Sequence, residues 1–170
     1  MTKPSKNMTK KEIPISFAPA LLSDDELLDL RTLLDIELTS RGMNFNVGEV
    51  GEKVAIKYFN STSGLPNLIE AAKGAKNIDA LSRDGDRYSI KTQMKAKKSG
   101  TIYPDTANPD KQLFEYLLIV KLSSDYQLKT LHRFSWETFL LARAWDKRMN
   151  AWYIPVSNKR LDIAEKIYPN

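Results

Sequence analysis

Residues 114–123, FEYLLIVKLS, restrict the fold more than any other segment, because they form one continuous apolar run of strand length. A strand that is apolar on both faces is typical of the centre of a sheet covered on both sides. Residues 126–134 follow with an alternating pattern and predict an antiparallel neighbour. Upstream, 77–83 and 86–92 flank an Arg-Asp-Gly-Asp turn, which favours a hairpin. The chain is therefore expected to build a central sheet.

Helical patterns flank these strands. Ser23 and Glu26 have the spacing of a capping box before a leucine-rich run that ends near Arg41. The wide apolar face of that run either covers its own sheet or pairs with a second subunit. Asn46 is the expected N-cap of a helix over 47–59. The remaining elements are predicted at 68–72 (short helix or first strand), 135–145 (helix), 151–157 (strand) and 158–168 (helix). Together they predict an α/β or α+β fold, a mixed sheet flanked by helices.

Composition limits the chemistry. The 170 residues contain no cysteine, which excludes a disulfide framework, thiol catalysis and a zinc-thiolate site. The one histidine, His132, makes a catalytic triad or a multi-histidine metal site unexpected. A metal would be held by carboxylates, which favours Mg²⁺. The net charge of +5 suits a polyanionic partner such as nucleic acid.

Length argues for one domain over 13–170, preceded by a basic tail, 1–12, that is expected to be disordered. No apolar run is long enough to span a membrane. The N-terminal segment lacks the apolar region of a secretory signal, so a cytoplasmic location is expected.

The predicted hairpin carries an unusual polar set. Asp79 begins its first strand, whereas Ser89 and Lys91 lie on one face of the second strand because side chains alternate. Cross-strand neighbours lie about 5 Å apart, so Asp79 can meet Lys91 near the open end of the hairpin. The opposite face, with Tyr88 and Ile90, is expected in the core.

The helix before this hairpin can supply further acid groups. Glu49 and Glu52 lie three residues apart, so both fit one helical face. One of these carboxylates, Asp79, the backbone carbonyl of Ile90 and waters would form a typical Mg²⁺ shell. A lysine beside it could orient or deprotonate a water nucleophile. This set is suited to metal-assisted phosphodiester hydrolysis.

Asp79, nine intervening residues and then Ser89-Ile90-Lys91 resemble the motif of the PD-(D/E)xK nuclease superfamily. The Gly48 to Glu52 spacing is similar to the Gly-x-x-x-Glu helix of archaeal Holliday-junction resolvases and small restriction-endonuclease-like proteins. The resemblance covers about 46–122, and the length and hairpin spacing are similar to those of compact type II restriction endonucleases. It implies a restriction-endonuclease-like fold, Mg²⁺ dependence, cleavage of double-stranded DNA and frequent homodimers. It also makes Glu52 the first choice for the helical metal ligand and Glu49 the second.

Two positions depart from the family pattern. Ile78 stands where the superfamily name has proline, and Ser89 stands where the second acid is expected. Either Glu52 or Glu49 supplies the missing charge, or the site binds metal weakly, or the protein is an inactive relative. The predicted function is a Mg²⁺-dependent DNA endonuclease, a hydrolase of a restriction system. The alternatives are a junction-resolvase-like, structure-specific nuclease, a catalytically inactive DNA-binding relative, and a plain interaction module with a basic surface.

The long basic loop 93–112 is the predicted DNA-contacting segment. Its candidate contacts are Gln93, Lys95, Lys97, Lys98 and Tyr103. The alternatives are that Gln93 only finishes the strand and that the three lysines form a solvated loop. Cutting both strands requires two sites, so a homodimer is expected, with the 24–40 helix as one candidate interface.

A second basic cluster lies near the end of the predicted helix 135–145. Arg143, Lys147 and Arg148 are either phosphate contacts or the basic end of that helix. The three tryptophans, Trp136, Trp145 and Trp152, are interpreted as packing residues.

Overall fold

The computed structural model describes residues 18–43, 46–72, 74–109 and 111–169. The chain divides into two compact units, Met1–Asn44 and Phe45–Asn170, so the predicted domain 13–170 spans both. The predicted tail 1–12 lies outside the described residues. No described helix is long and apolar enough to cross a membrane.

The first unit contains a 3-10 turn, Pro19–Leu21, and helix α1, Asp24–Ser40. The predicted capping box begins α1: Ser23 Oγ accepts the Glu26 N–H, and the Glu26 carboxylate accepts the Ser23 N–H at 2.8 Å. All residues of α1 are described and none of them is buried. Most of its apolar side chains are therefore exposed, and Leu30 and Leu38 are half-buried.

In the described part of the second unit, a six-stranded mixed sheet forms the centre. Its strands lie in the order β1 (Leu68–Glu70), β2 (Ala80–Ser82), β3 (Arg87–Gln93), β4 (Tyr116–Leu122), β5 (Leu128–Ser135) and β8 (Glu165–Tyr168). The pairing of β3 with β4 is parallel, and the other described pairings in this sheet are antiparallel. Helices α2 (Val47–Ser61), α3 (Trp136–Ala142) and α4 (Asn158–Leu161) and the hairpin β6 (Ala144–Asp146) and β7 (Ala151–Tyr153) complete the unit. The predicted mixed sheet with helices is confirmed.

Two apolar cores cover the two faces of the sheet, because β4 is apolar on both. Leu118, Val120 and Leu122 belong to the core that contains Ala55 and Phe59 of α2. On the other face, β4 joins a core with α3 and the crossover from β3, made of Ile102, Phe114, Leu117, Ile119, Phe134, Phe139 and Ile154 among others. The central position predicted for 114–123 is therefore correct.

Two helix predictions are wrong in extent. The helix predicted over 135–145 ends at Ala142, and the chain turns into the β6–β7 hairpin, in which Trp145 pairs with Trp152. The helix predicted over 158–168 stops at Leu161, and β8 follows as an edge strand. Arg133 donates two hydrogen bonds to Glu165 Oε2, at 2.8 and 2.6 Å, and pins β8 to β5. These long-range contacts override the local helical pattern.

The crossover between β3 and β4 is anchored over part of its length. Ser99 N–H donates to Ile154 O at 2.9 Å, and Ile102 exchanges two backbone hydrogen bonds with Trp152, at 2.8 and 2.9 Å. Residues 98–102 therefore run alongside β7 and its continuation as an additional extended segment. The polar sequence of 93–112 gave no indication of this pairing.

Helix α2 lies very close to β3 at one glycine. A Cβ atom added at Gly51 would lie 1.9 Å from Thr92 Oγ1 and 2.6 Å from Thr92 Cβ. Thr92 Oγ1 also donates to Gly48 O at 3.5 Å. The absence of a side chain at Gly51 sets the helix-to-sheet distance at the end of α2 that carries Glu49 and Glu52.

Replacing Gly51 with alanine should destabilise the protein by about 1–3 kcal/mol, because the added methyl group overpacks this contact. The measurement is the free energy of unfolding from chemical denaturation. Gly48→Ala is the matched control, since its Cβ would meet only the Asn46 side chain, at 3.1 Å. Equal stability of the two variants would show that α2 can shift away from β3 without cost.

Candidate functional site

The candidate site lies where β2 and β3 separate. Ala80 and Tyr88 are the last paired residues on this side, and Asp79 N–H still donates to Tyr88 O at 2.8 Å. Beyond that point the Asp79 side chain replaces the backbone partner, and its Oδ2 accepts the Ile90 N–H at 2.6 Å. A carboxylate has therefore taken the place of a carbonyl at the opening of the hairpin.

Lys91 closes this opening. Its Nζ lies 3.3 Å from Asp79 Oδ2 and 3.2 Å from Ile90 O. Ser89 is buried, and its hydroxyl donates to the same Asp79 oxygen at 3.3 Å. Only about one fifth of the Lys91 and Asp79 side chains is exposed, 20% and 21%. The structure thus brings together four residues that the sequence placed on this hairpin.

Glu52 on α2 is electrostatically coupled to this pair. Burial raises the pKa of the Glu52 carboxyl, and the negative charge of Asp79 raises it further. The Lys91 ammonium acts in the opposite direction and lowers the same pKa. Glu49 also raises it, but its effect is smaller than that of Asp79 or Lys91. The surroundings of Glu52, the first choice for the helical ligand, therefore include the Asp79–Lys91 pair.

The oxygen donors of the site are of the type that a hard cation prefers. They comprise the carboxylates of Asp79 and Glu52 and the carbonyl oxygen of Ile90, which already contacts the Lys91 ammonium. Within the described residues there is no cluster of three or more acidic or histidine side chains that could hold a metal. Two carboxylates and one carbonyl oxygen are the kinds of ligand that Mg²⁺ prefers, with water completing its shell.

Gln93 is a further polar group on the face of β3 that carries Ser89 and Lys91. It is 4% exposed, and neither atom of its amide has a hydrogen-bond partner among the described residues. Buried amides of this kind are normally satisfied by ordered water or a ligand. This observation places a buried amide, unsatisfied within the described part of the chain, on the strand face that carries Lys91.

The predicted DNA contacts fall into different surroundings. Lys95 and Lys97 are exposed and form no ion pair with a described residue. Lys98 pairs with Asp146, with 2.6 Å between Nζ and Oδ2, and its Nζ lies 5.2 Å from the centre of the Tyr153 ring. Tyr103 is 43% exposed.

Two features near the site were not found from the sequence. Gly100 covers the Lys91 stem, since a Cβ at Gly100 would lie 3.3 Å from Lys91 Cδ. The second feature is the β6–β7 hairpin. Residues 98–102, which include Gly100, pair with Trp152 and Pro155 and so connect this hairpin to the site. The sequence feature that could have predicted this hairpin is a pair of short segments, around Trp145 and Trp152, on either side of a polar turn.

Compared with known proteins, the chain matches no family model and no curated sequence. The functional assignment therefore depends on the geometry and chemistry of the site.

The coupling between Glu52 and Asp79 can be tested directly. Replacing Asp79 with asparagine removes a negative charge, so the pKa of Glu52 should fall, as measured by carbon-13 NMR titration of the glutamate side chains. Glu70→Gln is the control, since Glu70 raises the same pKa by the smallest of the contributions. A Glu52 pKa that does not respond to Asp79→Asn would separate Glu52 from the site.

Proposed function

We propose that the second unit is a Mg²⁺-dependent DNA endonuclease of the PD-(D/E)xK type. The observation that carries this proposal is the opened hairpin, where Asp79, the Ile90 carbonyl and Lys91 lie in hydrogen-bond contact. The raised pKa of Glu52, which burial and Asp79 produce, supports including its carboxylate in the proposed set. Perturbed acid groups that share a charged partner are characteristic of functional sites.

Asp79, Glu52 and the carbonyl oxygen of Ile90 would hold the cation, with Glu49 as the second choice for the helical ligand. Bound there, Mg²⁺ would lower the pKa of a coordinated water and offset negative charge that develops on the phosphate. The chain positions these oxygens through the α2–β3 contact at Gly51 and through the Asp79–Ile90 hydrogen bond.

Lys91 would orient the attacking water or contact an oxygen of the scissile phosphate. An ammonium group has three N–H donors, and Asp79 and Ile90 accept two of them. One donor therefore remains for a water or phosphate oxygen. Packing of Gly100 against the Lys91 stem keeps the ammonium near the opening of the hairpin.

Ser89 supports a second candidate function, an inactive DNA-binding relative. The hydroxyl is buried and directed to Asp79, so it contributes no negative charge to the site. The Asp79 carboxylate is also neutralised by Lys91. A site with only two carboxylates and one ammonium could bind the cation too weakly for catalysis.

The proposed substrate is double-stranded DNA, and the proposed context is a type II restriction system in the cytoplasm. The exposed cations Lys95 and Lys97, on the segment that follows Lys91, supply charge for the DNA backbone. A junction-resolvase-like activity uses the same chemistry on branched DNA.

Incubation of plasmid and phage DNA with the protein and Mg²⁺ should give cleavage that EDTA abolishes. Asp79→Asn and Lys91→Ala should each lower the rate by at least about 10²-fold, because each removes a charge from the reacting centre. Lys57→Ala, an exposed lysine on α2, is the charge control and should cleave as fast as the wild type.

The products distinguish the candidates. Discrete bands indicate a restriction enzyme, whereas faster cleavage of branched than of linear duplexes indicates a structure-specific nuclease. DNA binding that survives Lys91→Ala, with no cleavage by the wild type, indicates the inactive relative. Cleavage by Lys91→Ala at the wild-type rate would contradict the role given to this lysine.

Helix α1 supports the proposed homodimer. Leu28, Leu33 and Ile36 are 66%, 64% and 61% exposed, although they lie on different sides of one helix. Large exposed apolar side chains grouped on one short helix are typical of an interaction surface. A second copy of α1 would supply a symmetric apolar surface.

Placing glutamate at both Leu28 and Ile36 should convert a dimer into a monomer, because two carboxylates would enter an apolar interface. Sedimentation equilibrium measures the mass, and circular dichroism controls for loss of helix, since glutamate is a good helix former. A wild-type protein that remains monomeric at high concentration would exclude this interface.

A further inference from the structure

The β6–β7 hairpin has exposed charged and aromatic side chains that the candidate site does not use. Its turn, residues 147–150, carries Lys147 and Arg148, which are exposed and form no ion pair with a described residue. Trp145 precedes the turn and is 43% exposed. Basic groups beside an exposed aromatic ring, on a two-stranded ribbon, suit a nucleic acid surface.

The base of this hairpin is fixed to the core. Trp152 contacts Phe139 of α3 edge to face, with 5.9 Å between ring centres. The guanidinium carbon of Arg143 lies 3.9 Å from the centre of the Trp152 ring. Trp145 contacts Trp152 in the same manner at 6.0 Å. Ala151 and Ile154, at either end of this stretch, are fully buried. The turn therefore projects from a rigid support.

The turn itself is held by Asp146. Asp146 Oδ1 accepts the backbone N–H groups of Arg148 and Met149, at 3.0 and 3.2 Å. Its Oδ2 pairs with Lys98 at 2.6 Å, and this contact lowers the pKa of the Asp146 carboxyl. The one acid group at the turn is thus neutralised, so the charge presented by the turn is that of Lys147 and Arg148.

The hairpin is linked to Lys91 through the crossover. Gly100 contacts the Lys91 stem, and Ile102 of the same segment pairs with Trp152 of β7. Neighbouring strands lie about 4.8 Å apart, so β6 is about 10 Å from the segment that covers Lys91. A DNA duplex carries one phosphate charge per about 1.7 Å of its axis, so a duplex at Lys91 presents several phosphates within this distance.

We propose that the β6–β7 hairpin positions duplex DNA beside the scissile phosphate. Lys147 and Arg148 contact backbone phosphates that flank the cleaved bond, and Trp145 packs against the sugar-phosphate chain or a base edge. This inference rests on the proposed function. The sequence alone did not decide whether Lys147 and Arg148 contact phosphates or form the basic end of a helix. The proposal assigns them to DNA contact.

The test is the affinity of a short labelled duplex, measured by fluorescence anisotropy in EDTA over a range of salt concentrations. Lys147→Ala combined with Arg148→Ala should raise the Kd at least about tenfold at low salt. The slope of log K against log salt should become shallower by about 1.8, because each lost phosphate contact contributes about 0.9.

The matched control is Lys57→Ala combined with Arg83→Ala. Both residues are exposed, and the change in net charge is identical. Arg83 lies in the β2–β3 turn, at the opposite end of the hairpin from Lys91. The control should keep the wild-type salt slope, which separates specific contacts from loss of overall charge.

Trp145→Phe provides a second measurement that does not depend on charge. DNA should change the tryptophan fluorescence of the wild type, and most of this change should disappear in Trp145→Phe while binding persists. Retention of the full change would remove Trp145 from the contact.

The outcomes separate this inference from the proposed function. If the double variant binds with the wild-type Kd and slope while Lys91→Ala abolishes cleavage, the hairpin proposal fails and the nuclease proposal stands. If the wild type neither binds nor cleaves DNA, both fail. Binding whose salt slope is near zero would overturn the phosphate contacts and favour a protein partner.

Discussion

The hydrogen bond from the Ile90 N–H to the Asp79 carboxylate is the interaction on which the site depends. It forms where the β2–β3 ladder opens, so a side chain completes a bond that the backbone can no longer make. Hydrogen bonds to an ionised acceptor are roughly twice as strong as neutral ones. This bond fixes the carboxylate at the end of the β2–β3 ladder and leaves the Ile90 carbonyl available to Lys91.

Partial burial of the Asp79 and Lys91 charges costs desolvation free energy, which their hydrogen bonds offset. Removing one partner would leave a charge in a region where both side chains are only about one fifth exposed. Asp79 Oδ2 is satisfied by Ser89, Ile90 and Lys91 together. A serine at position 89 is therefore consistent with a structural role in orienting Asp79, whatever the activity of the site.

Sequence reasoning succeeded where local rules decide the structure. The capping box at Ser23, the N-cap at Asn46 and the strand β3 are set within a few residues, and each was predicted correctly. The edge strand β8 could not be predicted, because its partners, such as Arg133, lie far away in sequence. The β6–β7 hairpin was missed because the helical pattern of 135–145 continues past Ala142, where α3 ends.

The same distinction applies to the candidate site. Alternation along β3 placed Ser89 and Lys91 on one face, and the hairpin spacing brought Asp79 to them. The choice between Glu49 and Glu52 was open, because it depends on how closely α2 approaches β3. That distance follows from the contact between Gly51 and Thr92, which no local pattern reveals.

The electrostatics of Glu52 connect the fold to the proposed chemistry. The close approach at Gly51 brings the helix to the sheet, and the resulting burial and the charge of Asp79 raise the pKa of Glu52. A carboxylate whose pKa is raised in this way is stabilised when a proton or a divalent cation offsets its negative charge and that of Asp79. Because a proton competes with the metal, cation affinity should weaken as the pH falls through the raised pKa of Glu52. The packing of one glycine would therefore influence the pH range in which the proposed metal site operates.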